Sequence, residues 1–240
     1  MFNYYFCTTL NFDYTYQTLF GHLIFEPMTI VTNLLIFIFS IFSFIKLTKY
    51  SHVYPRSWGW FVLLVGISSC FGSTAHAVHY QLGATFFDII FYIMNALSLI
   101  SIYFCFKSPY VYYSQFKKGP NNKIFYFIML WITTLLIYTL FRNNFLIVKV
   151  HAGIVLMYAF IVHIIMYNKT KEKGSGLVVL GIGISFLSIV VHSLKFSIHE
   201  WFNYKDLAHV IIFCSLWVIY KGITINAQKL ETQNSFSKTN

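Results

Sequence analysis

Long apolar runs recur along the chain, parted by short polar stretches that carry most of the charge. A helix needs about 20 mostly apolar residues to cross a bilayer. The pattern predicts seven such helices, at about 23–46, 57–80, 84–106, 123–141, 144–167, 176–198 and 205–226. Only Arg142, Asn143 and Asn144 part the fourth from the fifth, so a tight hairpin is expected there. From Ala227 the chain turns polar, which reads as a frayed cytoplasmic tail over 227–240. The expected fold is all-α: a polytopic membrane protein, one seven-transmembrane-helix bundle over 1–240, with no room for a soluble domain.

Composition supports this and charge orients it. The chain is 58% hydrophobic, 21% aromatic and only 10% charged, where a soluble domain carries about 25% charged residues. The net charge of +10 does not point to nucleic acid, because the basic residues punctuate the apolar runs and form no patch. They fill alternate connections. Lys46, Lys49 and Arg56 lie in the first, Lys107, Lys117, Lys118 and Lys123 in the third, and Lys169, Lys171 and Lys173 in the fifth. The second connection and the segment before the first helix carry none. Basic loops stay cytoplasmic, so the N-terminus is expected outside and the C-terminus inside. The four cysteines are scattered and form neither a disulfide framework nor a zinc knuckle. No basic segment precedes an apolar core at the N-terminus, so no cleaved signal peptide is expected.

Ionisable residues within a bilayer are expensive and tend to mark function. In this topology Glu26, His76, His79, Asp88, His151, His192, Lys195, Asp206 and His209 all fall in the outer half. Only His52 and His163, of nine histidines, fall in the cytoplasmic half. Glu26, Thr29 and Asn33 share one face of the first helix. Ser69, Ser73, His76 and Tyr80 form a stripe on the second, and Asp88, Tyr92 and Asn95 share a face of the third. The stripes predict a polar pocket open toward the outer side.

That set holds the parts of a metal-dependent hydrolase. Zinc takes neutral histidines and carboxylates, and a catalytic site keeps one position for water. Candidate ligands are His76, His209 and either His79 or Asp206. Asp88 can accept the proton of the activated water, and Ser73 can donate to a developing oxyanion. Each residue also has a plainer reading. Glu26 and Asp88 can cap helix N-termini, Ser69 and Ser73 can bond to the preceding turn, Lys195 can snorkel to the headgroups, and His22, His52, His163 and His199 can sit bonded to backbone.

The sequence EPMTIVTNLL, with Glu26, Thr29 and Asn33, resembles the first-helix signature of the alkaline ceramidases and of their wider superfamily, which includes the adiponectin-receptor-like proteins. FGSTAH, with Gly72, Ser73 and His76, followed by Asp88, is similar to the family's second and third helices, although Ser73 precedes His76 by three positions where four is usual. The family's last helix carries His-x-x-x-His. In KDLAHVIIF only His209 remains, with Lys205 and Phe213 four residues to either side. The resemblance implies a zinc-dependent lipid amide hydrolase. His76 and His209 would bind zinc, and Asp88 would be the base. Ser73 would stabilise the oxyanion, and Glu26 and Asn33 would be structural or supporting residues, as Tyr92 would be by its place beside Asp88.

Two other classes remain open. Histidines at one depth (His76, His151, His192 and His209) also suit a haem-binding cytochrome. Seven helices with a polar pocket and no metal suit a receptor or transporter. The expected partners are membrane lipids and a lipid substrate, with no nucleic acid, and the expected place is an integral membrane with the site on its extracytoplasmic side.

Overall fold

The computed structural model describes residues 16–19, 22–115, 122–142 and 144–239. Backbone in hydrocarbon must satisfy its own N–H and C=O groups, so the apolar runs become helices. These are α1 (Pro27–Leu47), α2 (Val53–Ser114), α3 (Asn122–Phe141), α4 (Phe145–Thr170), α5 (Lys173–Leu194) and α6 (Tyr204–Thr239). A two-stranded antiparallel hairpin, β1 (Tyr16–Leu19) and β2 (His22–Phe25), precedes them.

Helix α2 is two rods. Gly83 breaks it at φ 73° and ψ 173°, a conformation open to a residue without Cβ. Residues equally far before and after Gly83 face each other. Tyr54 stacks on Tyr112 with ring centroids 4.4 Å apart, and the Ser68 and Ser98 hydroxyls are 2.7 Å apart. The two arms of α2 therefore run antiparallel, and the bundle has the seven rods the pattern predicts. Six of these, α1, both arms of α2, α4, α5 and α6, are long and apolar enough to cross a membrane. The apolar stretch of α3, Phe125–Thr139, is shorter. The chain is an integral membrane protein.

Several boundaries differ from expectation, each for a local reason. The first helix starts at Pro27, not at 23, because 22–25 pair as β2 and Pro27 occupies the first turn, where its missing N–H costs nothing. The second starts at Val53, not at 57, capped by His52, whose Nδ1 accepts from Tyr54 N at 3.1 Å. The third runs on to Ser114. The sixth is shifted back to Lys173–Leu194 and ends where Lys195 turns left-handed. The expected frayed tail is instead helix through Thr239. Its first turns are anchored by buried Ala227 and Leu230, by Lys229 on Glu172, and by Glu231 accepting from Ser51 N at 2.8 Å.

Packing fixes the ends of the bundle. Small residues let helices approach closely, and α5 meets α6 that way. A Cβ on Gly222 would lie 2.6 Å from the Gly174 carbonyl oxygen and 2.9 Å from Val178 N. On the other side of α6, Phe39 of α1 packs edge-on against Phe213 at 5.4 Å. The end of α1, the start of α2, the end of its second arm, the α4–α5 turn and the second half of α6 gather at one end. That end carries Lys46, Lys49, Lys169, Lys171, Lys173 and Lys229, and is called the basic end below. Glu26, Gly83 and Lys205 mark the opposite end.

Candidate functional site

At the opposite end α1 and α6 are joined by three polar rungs. Glu26 precedes Pro27 and is left-handed, at φ 47°. Proline disfavours the right-handed helical region for the residue before it, so the chain turns sharply there. The turn brings the Glu26 side chain inward, where it is buried. Its Oε1 accepts from Lys205 Nζ at 2.7 Å, which is the first rung.

The second and third rungs lie deeper. The Thr29 hydroxyl donates to Asp206 Oδ1 at 2.7 Å, and the Thr32 hydroxyl lies 3.2 Å from His209 Nδ1. Asn33 Nδ2 donates to its own helix at Thr29 O, 2.9 Å away. Asp206 has a second task. Asn203 Oδ1 accepts from Lys205 N at 2.8 Å, while Asp206 Oδ2 accepts from Asn203 N at 2.9 Å. This reciprocal pair satisfies the free N–H groups at the start of α6, as a capping box does.

The other expected site residues lie on α2. Ser73 is buried on the first arm, and Asp88 is exposed near the start of the second. Tyr92 is half-buried and Asn95 fully buried one and two turns further on. His76 and His79 lie in the last turns of the first arm, and their side chains are outside the described residues. The structure thus brings Glu26, Asp206 and His209 to one interface, while Asn33 is buried and bonds within its own helix. Among the described residues, no three of His, Cys, Asp and Glu group closely enough to hold a metal ion. The chemistry of the donors agrees. Both Asp206 oxygens are occupied, His209 Nδ1 faces a threonine, and Glu26 already has a cation from this chain. The described donor set does not fit zinc. Of the histidines in the haem reading, His151 on α4 packs edge-on against Trp131 and holds Ile147 O at 2.7 Å from its Nδ1. His192 on α5 packs edge-on against Tyr204.

A second polar node, at the basic end, escaped the sequence reading. Five rods each supply one residue: Tyr54 and Tyr112 from the arms of α2, His163 from α4, Ser175 from α5 and Asn226 from α6. Tyr112 OH donates to Glu172 Oε2 at 2.6 Å, and Lys229 holds the other oxygen of that carboxylate. Asn226 Nδ2 donates to Tyr54 OH at 3.1 Å and to Ser175 Oγ at 3.4 Å. His163 has no exposed surface and stacks on Tyr112, with ring centroids 5.6 Å apart. Neither of its ring nitrogens has a hydrogen-bond partner, nor has the indole N–H of Trp58, whose ring centroid is 6.5 Å away. A buried polar group left so costs about 1–3 kcal/mol. The available signal was the isolation of His163 inside an apolar run, which did not by itself show that four other helices would deliver polar groups to the same depth.

No curated protein matches the chain. Its match is instead to DUF6962, a family of unknown function, over residues 28–228, from the first turn of α1 well into α6. That stretch takes in every rod of the bundle and the polar residues of both nodes except Glu26 and Lys229, which lie just outside it, and the chain belongs to this family.

Proposed function

We propose that the protein is a metal-independent membrane protein of the receptor or transporter type, with two polar stations at opposite ends of the bundle, both touching α6. In this reading seven segments cross the membrane, with the N-terminus outside and the basic end in the cytoplasm. The observation that carries it is the Lys205–Glu26 pair at 2.7 Å. An ammonium from the chain itself neutralises Glu26, and both Asp206 oxygens accept hydrogen bonds from this chain, where a metal centre would need carboxylate oxygens free for its ion. The outer rungs then act as a clasp between the first and last helices. The inner node, with its costly unpartnered groups, is where the fold gives up stability, as functional sites do. A polar solute binding at either station would act on α6, which carries Asp206 and His209 in its first turns and Asn226 and Lys229 in its second half.

A second reading, the zinc-dependent hydrolase of a lipid amide, is favoured by Ser73, which is buried on the first arm of α2, and by His209, which faces α1. His76 and His79 would have to complete its ligands. Elemental analysis of the detergent-purified protein from metal-replete cells separates the readings, with His209→Ala alongside. The clasp reading expects no stoichiometric metal in either protein. Stoichiometric zinc in the wild type that disappears in His209→Ala would overturn it in favour of the hydrolase, and stoichiometric iron with a Soret band would overturn it in favour of the cytochrome.

A further inference from the structure

At the basic end a groove of about 470 Å³ opens on the outer face of the bundle, bounded by α4, α5 and α6. Ile164 and Tyr167 of α4 form one wall and Ile225 of α6 the other. The floor is α5, and Gly176 keeps it low. A Cβ there would come within 3.1 Å of the Tyr167 ring. The lining is apolar except at its mouth, where Lys173 lies, and it includes no acidic residue.

The turn above the groove adds a second cation. Lys171 ends α4 in the left-handed conformation, φ 53°, with its N–H on Tyr167 O at 2.8 Å. Glycine is the residue that takes this position without steric cost. The chain keeps a lysine there, and its ammonium stands 5.6 Å from the centroid of the Tyr167 ring, on the groove wall. A cation near a helix C-terminus also gains from the helix dipole, so the position by itself decides nothing. The one carboxylate in the turn does not cancel these charges, because Glu172 is held by Tyr112 and Lys229.

We propose that this groove binds one anionic phospholipid. An acyl chain lies over Gly176 between Tyr167 and Ile225, and the phosphate is held by Lys171 and Lys173. Apolar length with two cations at the mouth is complementary to an anionic headgroup on a hydrocarbon tail, and basic pockets between helices at a membrane surface recognise lipids of this kind. The inference is independent of whether the outer cluster binds metal.

The test uses full-length protein stripped of lipid in detergent, then titrated with phosphatidylglycerol or with phosphatidylcholine of the same chains. Retained lipid is read by native mass spectrometry. Phosphatidylglycerol is expected to stay bound at one molecule per chain and phosphatidylcholine to wash off. Lys171→Gly combined with Lys173→Gln should weaken retention by about thirty-fold, the loss expected for two surface lysines. Lys171→Gly also relieves the left-handed strain, so this variant is not expected to fail by misfolding. Gly176→Leu should abolish retention by filling the groove with every lysine intact. The double variant Lys46→Gln with Lys49→Gln is the charge-matched control and should bind as the wild type does. Equal retention of the two lipids, or equal loss in the control, would overturn the proposal, because either result describes an unspecific surface.

Discussion

At the residue scale, Lys205 and Glu26 decide how the outer cluster is read. Their side chains are 23% and 7% exposed, so the pair is largely out of water. Removing one partner of a buried pair is expensive because the other keeps its desolvation penalty. Lys205→Met should lower stability in detergent by about 3 kcal/mol, the low end for such pairs because the lysine is partly exposed. Adding Glu26→Gln should return most of that loss, since the uncompensated charge goes with it. Thermal unfolding of the two single variants and the double measures this coupling. A double variant no better than Lys205→Met alone would show that the two side chains do not act as a pair. The sequence placed Glu26, Asp206 and His209 in the outer half of the bundle, and the structure puts them on one interface. The pairing itself was not legible. Periodicity gives the face a residue occupies on its own helix, and says nothing of which helix lies opposite.

At the scale of elements, the apolar runs were legible because each is long enough to specify a rod by itself. The ends were less so. A run's end is set by capping and by neighbours, and the last helix continues past 226 because Lys229 and Glu231 find partners in the α4–α5 turn and in the α1–α2 turn. The α5–α6 contact was hidden for the same reason. Gly174 and Gly222 lie far apart in the sequence, and only docking shows that they face each other and that Gly181 makes room for Ile219 and the Ser215 carbonyl of α6. Gly222→Ala should cost about 1–3 kcal/mol, the usual penalty for overpacking. The Gly174 carbonyl oxygen at 2.6 Å and the Val178 nitrogen at 2.9 Å are both backbone, so neither can rotate aside. Gly153→Ala is the natural control. It also lies inside a helix, and a Cβ there meets nothing within 4 Å. It should be neutral or gain up to about 1 kcal/mol from helix propensity. Unfolding midpoints of the two variants test the contrast, and similar values would mean that α5 and α6 are not packed through these glycines.

On the scale of the whole molecule, the count of crossings turns on α3, whose apolar stretch is the shortest. The direction of its neighbours bears on the reading of seven crossings. The second arm of α2 ends at the basic end, where Tyr112 meets Glu172. Helix α4 also finishes there, at the turn before Glu172, and it starts at the opposite end beside Arg142. Two successive long rods that run in the same direction require the chain between them to return, and α3 is the one helix among the described residues of that segment. At 1.5 Å per residue, its 20 residues reach about 30 Å, the thickness of a bilayer's hydrocarbon core. The seven-crossing reading therefore expects reporters in the α1–α2 turn, in the α4–α5 turn and after Thr239 to lie on one side. Reporters at Gly83 and at Arg142 should lie on the other. A reporter at Arg142 found on the same side as one at Lys171 would mean that α3 and α4 do not both cross. The alternation of basic and neutral connections predicts the same sidedness, because basic connections stay cytoplasmic, and the reporters test both expectations together.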